Sequence, residues 1–141
     1  TESWQAYGFV SNNHCMLGHL MEWFFAGLGG IRQNESSVAY KHIEIKPQMP
    51  RGVKFATAEY DSPYGLIRCD WKREGNLLRV NVTVPANTEC TMDLPFNKDS
   101  KLREGGIIIN DNKWCNNFTI KDNRIKIKIK SGNYSFELQN F

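Results

Sequence analysis

The period of the hydrophobic pattern changes once along this chain, near residue 35, and that change constrains the fold more than any other feature. Across residues 14–28, Leu17, Leu20, Met21, Phe24, Phe25 and Leu28 recur at spacings of three and four. That spacing lines one face of an α-helix. Asn12 or Asn13 can cap its start, because a short side-chain oxygen accepts from an otherwise unpartnered backbone N–H there. Gly27, Gly29 and Gly30 supply its stop. Trp23, Phe24 and Phe25 are consecutive, so apolar side chains point to more than one face. A single helix cannot cover such a surface. The pattern calls for helical neighbours, and the rest of the sequence supplies none.

From about Val38 onward the period is two. Residues 41–46 alternate around Ile43 and Ile45. Strands are expected over 53–60 and 66–72, separated by the turn Asp61-Ser62-Pro63-Tyr64-Gly65. Glu74-Gly75-Asn76 reads as a tight reversal into a strand over 77–84, which makes a hairpin. Pro85-Ala86-Asn87 is expected to turn the chain into a further strand over 88–94. More strands are expected at 107–109, around Phe118-Thr119-Ile120, and over 124–130 and 134–138. Strands divided by turns about every 8–12 residues point to a mainly β chain, an antiparallel β-sandwich of the jelly-roll kind preceded by one α-helix.

Composition narrows the function classes. The chain has 141 residues, 40% of them hydrophobic and 12% aromatic, which is enough to bury a core. Its 18 Lys+Arg against 15 Asp+Glu leave a net charge of +3, too little to argue for a nucleic-acid or membrane partner. No run of about 18 apolar residues is present to span a bilayer as a helix. Thr1-Glu2-Ser3-Trp4 has neither a basic leader nor an apolar signal core and reads as a sequence entered in the middle. Compartment therefore stays open. The four Asn-x-Ser/Thr triplets, at Asn34, Asn81, Asn117 and Asn133, carry no compartment signal in so Asn-rich a chain.

Residues 121–130 carry five cations and one carboxylate, a local +4 that exceeds the charge of the whole chain. Ile125, Ile127 and Ile129 alternate strictly with Lys126, Lys128 and Lys130, however, so period two sorts the Ile to one face and the Lys to the other. A strand with a solvated lysine face is the expectation, with those lysines guarding a sheet edge. Cys15, Cys69, Cys90 and Cys115 lie far apart with no Cys-x-x-Cys pair, which favours buried free thiols over a zinc site or a disulfide scaffold. His14 and His19 are five apart, unsuited to one metal on a helix face, and His42 sits in a strand. No metal or other cofactor is expected.

Two carboxylates stand apart from the charged strands. Glu22 lies between Met21 and Trp23, and a carboxylate among aromatics tends towards a raised pKa that suits a general acid or base. A packing role in the helix is the plainer alternative. Glu2 precedes a loop rich in aromatics and Asn, where Trp4, Tyr7 and Phe9 are either core or stacking platforms for a sugar ring.

At this point the residues resemble a known family. Ser11-Asn12-Asn13-His14-Cys15-Met16-Leu17-Gly18, then Glu22-Trp23-Phe24-Phe25 and Gly29-Gly30-Ile31, are similar to the end of the catalytic barrel of bacterial α-L-rhamnosidases. Tyr40-Lys41-His42-Ile43, Ile45-Lys46-Pro47 and Glu59-Tyr60-Asp61-Ser62-Pro63-Tyr64-Gly65 resemble the entry into that family's C-terminal β-sandwich. So do Trp71-Lys72, Glu74-Gly75-Asn76 and Val84-Pro85-Ala86-Asn87-Thr88. The resemblance covers residues 1–95. It implies that residues 1–37 are the last loop and helix of an (α/α)6 barrel and residues 38–141 the sandwich that follows.

It further implies inverting hydrolysis of terminal α-L-rhamnosides, with a rhamnose-containing glycoside or polysaccharide as substrate and an upstream barrel of the same chain as partner. Inversion needs two carboxyl groups, one protonating the leaving oxygen and one activating water. In the family the base Glu precedes the Asn-His motif as Glu-x-Trp, so Glu2-Ser3-Trp4 makes Glu2 the candidate base. His14 corresponds to the family's sugar-contacting His, and Trp4 flanks the pocket. Glu22 falls at a position that varies in the family and is expected to serve helix packing. The general acid would lie before residue 1, so the chain by itself is expected to be inactive. The alternative is a non-catalytic carbohydrate-binding or structural β-sandwich carrying an N-terminal helix.

Overall fold

The computed structural model describes residues 16–111, Cys115 and residues 117–141. The chain begins in a short helix, α1 (Met16–Glu22), which passes without a break into a wider π-helical segment (Trp23–Gly29). The strands that follow are β1 (Ile31–Gln33), β2 (His42–Ile45), β3 (Phe55–Ser62), β4 (Gly65–Glu74) and β5 (Leu77–Pro95). β6 (Lys101–Glu104), β7 (Ile107–Ile108), β8 (Phe118–Lys121) and β9 (Arg124–Gln139) complete the set, with a single 3₁₀ turn (Ile109–Asp111) after β7. A mainly β fold preceded by one α-helix was expected, and a mainly β fold with one short α-helix is what forms. No helix among the described residues is long and apolar enough to cross a membrane.

Two long strands organise the fold. β5 and β9 pair antiparallel along almost their whole length, and a register shift between Val84 and Glu89 divides the pairing into two ladders. In the first, residues 77–84 of β5 face residues 132–139 of β9, with β4 and β3 outside β5, and β6 and β7 outside β9. In the second, residues 89–95 of β5 face residues 124–130 of β9, with β2 and β1 on one flank and β8 on the other. The sheet is mixed, because β2 runs parallel to β5. Every other pairing is antiparallel.

The expected turn at Pro85-Ala86-Asn87 is therefore a bulge inside one strand. Pro85 to Thr88 lie opposite Ser131 alone, and Asn87 takes a left-handed φ of +59°, which Asn tolerates better than most residues. A bulge bends its strand and re-aims it, so one continuous β5 serves both ladders. The same bend merges the two strands expected at 124–130 and 134–138 into β9.

Both ladders turn their apolar positions to a common core. Ile67, Cys69, Trp71, Leu78, Val80, Val82, Phe136 and Leu138 come from the first ladder, and Ile43, Ile45, Cys90, Met92, Leu94, Ile125, Ile127 and Ile129 from the second. Period-two alternation puts them on one side, and burying each large side chain contributes about 1.5–3 kcal/mol. Lys126, Lys128 and Lys130 are exposed while their Ile neighbours are buried, as the alternation required. Lys126 does not guard an edge, since residues 124–127 of β9 pair with β5 on one side and β8 on the other. Cys69, Cys90 and Cys115 are buried with free thiols. Burial pushes the Cys69 thiol up to about 12, helped by the Asp70 charge. It also raises the Cys90 thiol, with Cys69 and Glu44 adding to the effect.

Candidate functional site

The feature that departs most from an ordinary sandwich is the helical segment at residues 16–29 and the cleft beneath it. Its carbonyl end is fixed by donors from the sheet. Trp71 Nε1 donates to Leu28 O at 2.8 Å in the interior, Arg32 Nε donates to Ala26 O at 2.9 Å, and the Gln48 backbone N–H donates to Gly27 O at 2.9 Å. These donors satisfy carbonyls that a helix end otherwise leaves open. They also account for the widened turn, which departs from the plain α-helix expected over 14–28.

Glycine makes the junction possible. Gly30 closes the segment with a left-handed φ of +75°, and a Cβ there would sit 2.3 Å from Pro47 N. A Cβ on Gly29 would sit 2.3 Å from the Ala58 Cβ. The helix stop expected at the glycines thus falls at Gly30. The Asn12 or Asn13 cap expected at the other end lies outside the described residues.

The last turn of the segment is held, and the residues before it are bare. Leu28 is buried, and the Phe25 ring lies 5.8 Å from Tyr60, whose ring lies 4.5 Å from Tyr40. In the residues before this turn Leu20 is 49% exposed, Met21 67%, Trp23 40% and Phe24 47%. Trp23 and Phe24 touch edge to face at 5.4 Å, and Trp23 Nε1 donates to Gln48 Oε1 at 3.2 Å. Monomeric proteins rarely leave a contiguous patch of this kind open unless something binds it.

The cleft under the segment has a volume of about 490 Å³ and is lined by His19, Glu22, Trp23, Arg32, Gln33 and Tyr40 among others. Its floor is the loop between β1 and β2, where Ala39 and Tyr40 both take left-handed φ values of +53° and +63°. Gln33 holds that loop, accepting from the Tyr40 backbone N–H at 3.1 Å and donating to Ser37 O at 2.8 Å. Partial burial, with Tyr60 alongside, raises the Tyr40 phenol pKa. Glu22 stands exposed at the rim; the packing role expected for it has no counterpart among the described residues. Among the described residues it is the single carboxylate lining this cleft, and a two-carboxylate hydrolase needs a paired acid and base.

Glu2, Trp4 and His14, the residues to which the resemblance assigns base and sugar contacts, lie outside the described residues. His19 lines the cleft, and His42 lies at the start of β2 with Nδ1 3.6 Å from Glu89 Oε2. No group of three His, Cys, Asp or Glu among the described residues could hold a metal ion. Sequence reasoning missed the residues that pin the segment. Trp71 falls in a strand expected from the sequence, but its partner lies 43 residues away, and no local pattern announces such a bond.

Comparison with known proteins places this arrangement. The family described as "Bacterial alpha-L-rhamnosidase C-terminal domain" matches residues 30–107. An alpha-L-rhamnosidase of Formosa agariphila is 29% identical over 145 residues, covering 96% of this chain and 15% of the relative. The alpha-L-rhamnosidase structure from Dictyoglumus thermophilum superposes with a TM-score of 0.80 at 25% identity, over 98% of this chain and 16% of that one. The Streptomyces avermitilis alpha-L-rhamnosidase complexed with L-rhamnose shares the fold, with a TM-score of 0.74 at 22% identity over 90% of this chain and 11% of that one. The chain spans 9–15% of the length of the curated relatives it matches. With more than half of its residues matched, the chain belongs to the bacterial alpha-L-rhamnosidase C-terminal domain family.

Proposed function

We propose that this chain is the C-terminal part of an inverting α-L-rhamnosidase. In this reading residues 1–37 close an (α/α)6 catalytic barrel and residues 38–141 form the sandwich that braces it, with β1 joining the two. The observation that carries the reading is the bare apolar and aromatic run of residues 20–24, just before a turn bonded to the sheet. A helix apolar on more than one side is a helix with further helical neighbours. The occupant of the bare face is the preceding part of the same polypeptide, whose helices would bury Leu20, Met21, Trp23 and Phe24.

The chemistry then divides between the two parts. Glu2 activates water as the general base, while Trp4 and His14 line the sugar pocket. The general acid belongs to the barrel that precedes Thr1. Terminal α-L-rhamnosyl residues of a glycoside or polysaccharide are the substrate, and the two carboxyl groups stand far enough apart to admit the attacking water. The sandwich contributes no reacting group. Its work is to hold the end of the last barrel helix, through Trp71, Arg32 and Gln48, so that the loop carrying Glu2 and His14 keeps its place.

The test uses the longer polypeptide that includes this segment. Glu2→Gln should lower kcat on an aryl α-L-rhamnoside by roughly 10²–10⁴-fold, the contribution of a positioned acid or base. His14→Ala should raise KM as well. Unchanged kcat in the Glu2→Gln enzyme would remove Glu2 from the mechanism.

A further inference from the structure

Gln48, the acceptor for Trp23, also lines a second cavity, of about 540 Å³, together with Lys46, Arg73, Asn76, Arg124 and Phe141. We propose that this cavity is an oxyanion-binding site, taking a sulfate or a sugar carboxylate, a reading independent of how the helical segment is docked. Three cations converge on it from separate parts of the fold: Lys46 just after β2, Arg73 on β4 and Arg124 on β9. Among the described residues no side-chain carboxylate lines it.

The nearest acid is already engaged. Asp93 is buried, with its side chain 7% exposed, and its carboxylate takes Lys46 Nζ at 3.1 Å and Arg124 Nε. Its backbone carbonyl accepts from Arg124 Nη2 at 2.8 Å. One carboxylate shared by two cations leaves a surplus of positive charge before Arg73 is added.

Arg73 is the observation that points to a ligand. Its Nη2 donates to Met49 O at 3.1 Å, and its guanidinium carbon lies 5.2 Å from the Phe141 ring centre. Its Nε–H is shielded from solvent and has no hydrogen-bond partner among the described residues. Arg73 as a whole is half-buried, a shielded N–H without a partner is costly, and the planar guanidinium fork matches a carboxylate or sulfate face. Lys46 adds a point charge, and the amides of Gln48 and Asn76 suit hydroxyls beside the anionic group. The volume falls within the usual range for small-ligand sites, about 300–1,000 Å³.

Titration of the ¹⁵N-labelled 141-residue chain, following the Arg73 Nε–Hε resonance, tests this. Sodium sulfate and sodium glucuronate are added in separate arms against sodium chloride at matched ionic strength, with exposed Arg103 as the internal control. The expected result is a saturable shift at Arg73 that Arg103 does not share. Arg73→Lys, which keeps the charge but loses the fork, should weaken binding about tenfold or more, and Lys46→Gln should weaken it on an intact fold. Saturation by sulfate identifies a free oxyanion as sufficient, and saturation by glucuronate alone identifies a sugar-borne carboxylate. An Arg73 shift that fails to saturate, or that chloride reproduces, overturns the site.

Discussion

Trp71 does two jobs with one side chain. Its ring fills the core of the first ladder, and its Nε1–H caps the carbonyl of Leu28 at the end of the helical segment. Trp71→Phe keeps most of the ring and strands that buried carbonyl, so it should cost about 1–3 kcal/mol in urea unfolding. Trp71→Ala should cost about 3–5 kcal/mol through the cavity it leaves. The strand that carries Trp71 was legible in the sequence; its bond to Leu28 was not, because it depends on how two distant elements meet. The thiols make a second residue-scale prediction. With Cys69 raised from its ordinary value near 9 to about 12, the folded state holds a proton that the unfolded chain gives up. The Cys69 contribution to stability is therefore complete below pH 9 and is lost as pH rises from 9 towards 12. Folded protein at pH 8.5 should leave Cys69 and Cys90 unalkylated by iodoacetamide, with full labelling in urea, and Cys69→Ala should flatten the alkaline fall in stability.

At the scale of elements, the two periods in the sequence marked out the helical segment and most of the strands but not β1 or β6, and they could not mark continuity. Pro85-Ala86-Asn87 carries every local sign of a turn, yet the β9 backbone opposite it keeps both halves of β5 in register. Long-range pairing decides such a case, and local chemistry is blind to it. The parallel pairing of β2 with β5 is likewise a property of the fold and not of either strand. The helical segment is the reverse case: the run Trp23-Phe24-Phe25 announced that one helix could not cover its own surface, and the bare face bears this out. Leu20→Gln combined with Phe24→Gln should lower hydrophobic-dye fluorescence several-fold and shift the 141-residue chain towards monomer in sedimentation, with little change in its thermal midpoint. Dye binding that persists in this variant would place the sticky surface elsewhere.

For the whole molecule, the modest +3 charge is the sum of local balances. Arg68 pairs with Glu59 at 2.8 Å, Arg79 bridges Glu74 and Glu137, and Asp93 binds Lys46 and Arg124. The strongly basic stretch at 121–130 is a solvated sheet face, and the surplus charge of interest sits instead around Arg73, where three separate segments meet and no sequence window contains it. The proposed division of labour assigns the second carboxylate needed for inverting hydrolysis to a preceding barrel. The release of product with inverted anomeric configuration from the longer polypeptide, followed by proton NMR, would agree with that two-carboxylate scheme. The most direct measurement is turnover of an aryl α-L-rhamnoside by the purified 141-residue chain alone, set beside the longer polypeptide that includes it. The account predicts no release above the buffer blank from the chain and steady release from the longer protein; comparable turnover by the chain alone would contradict it.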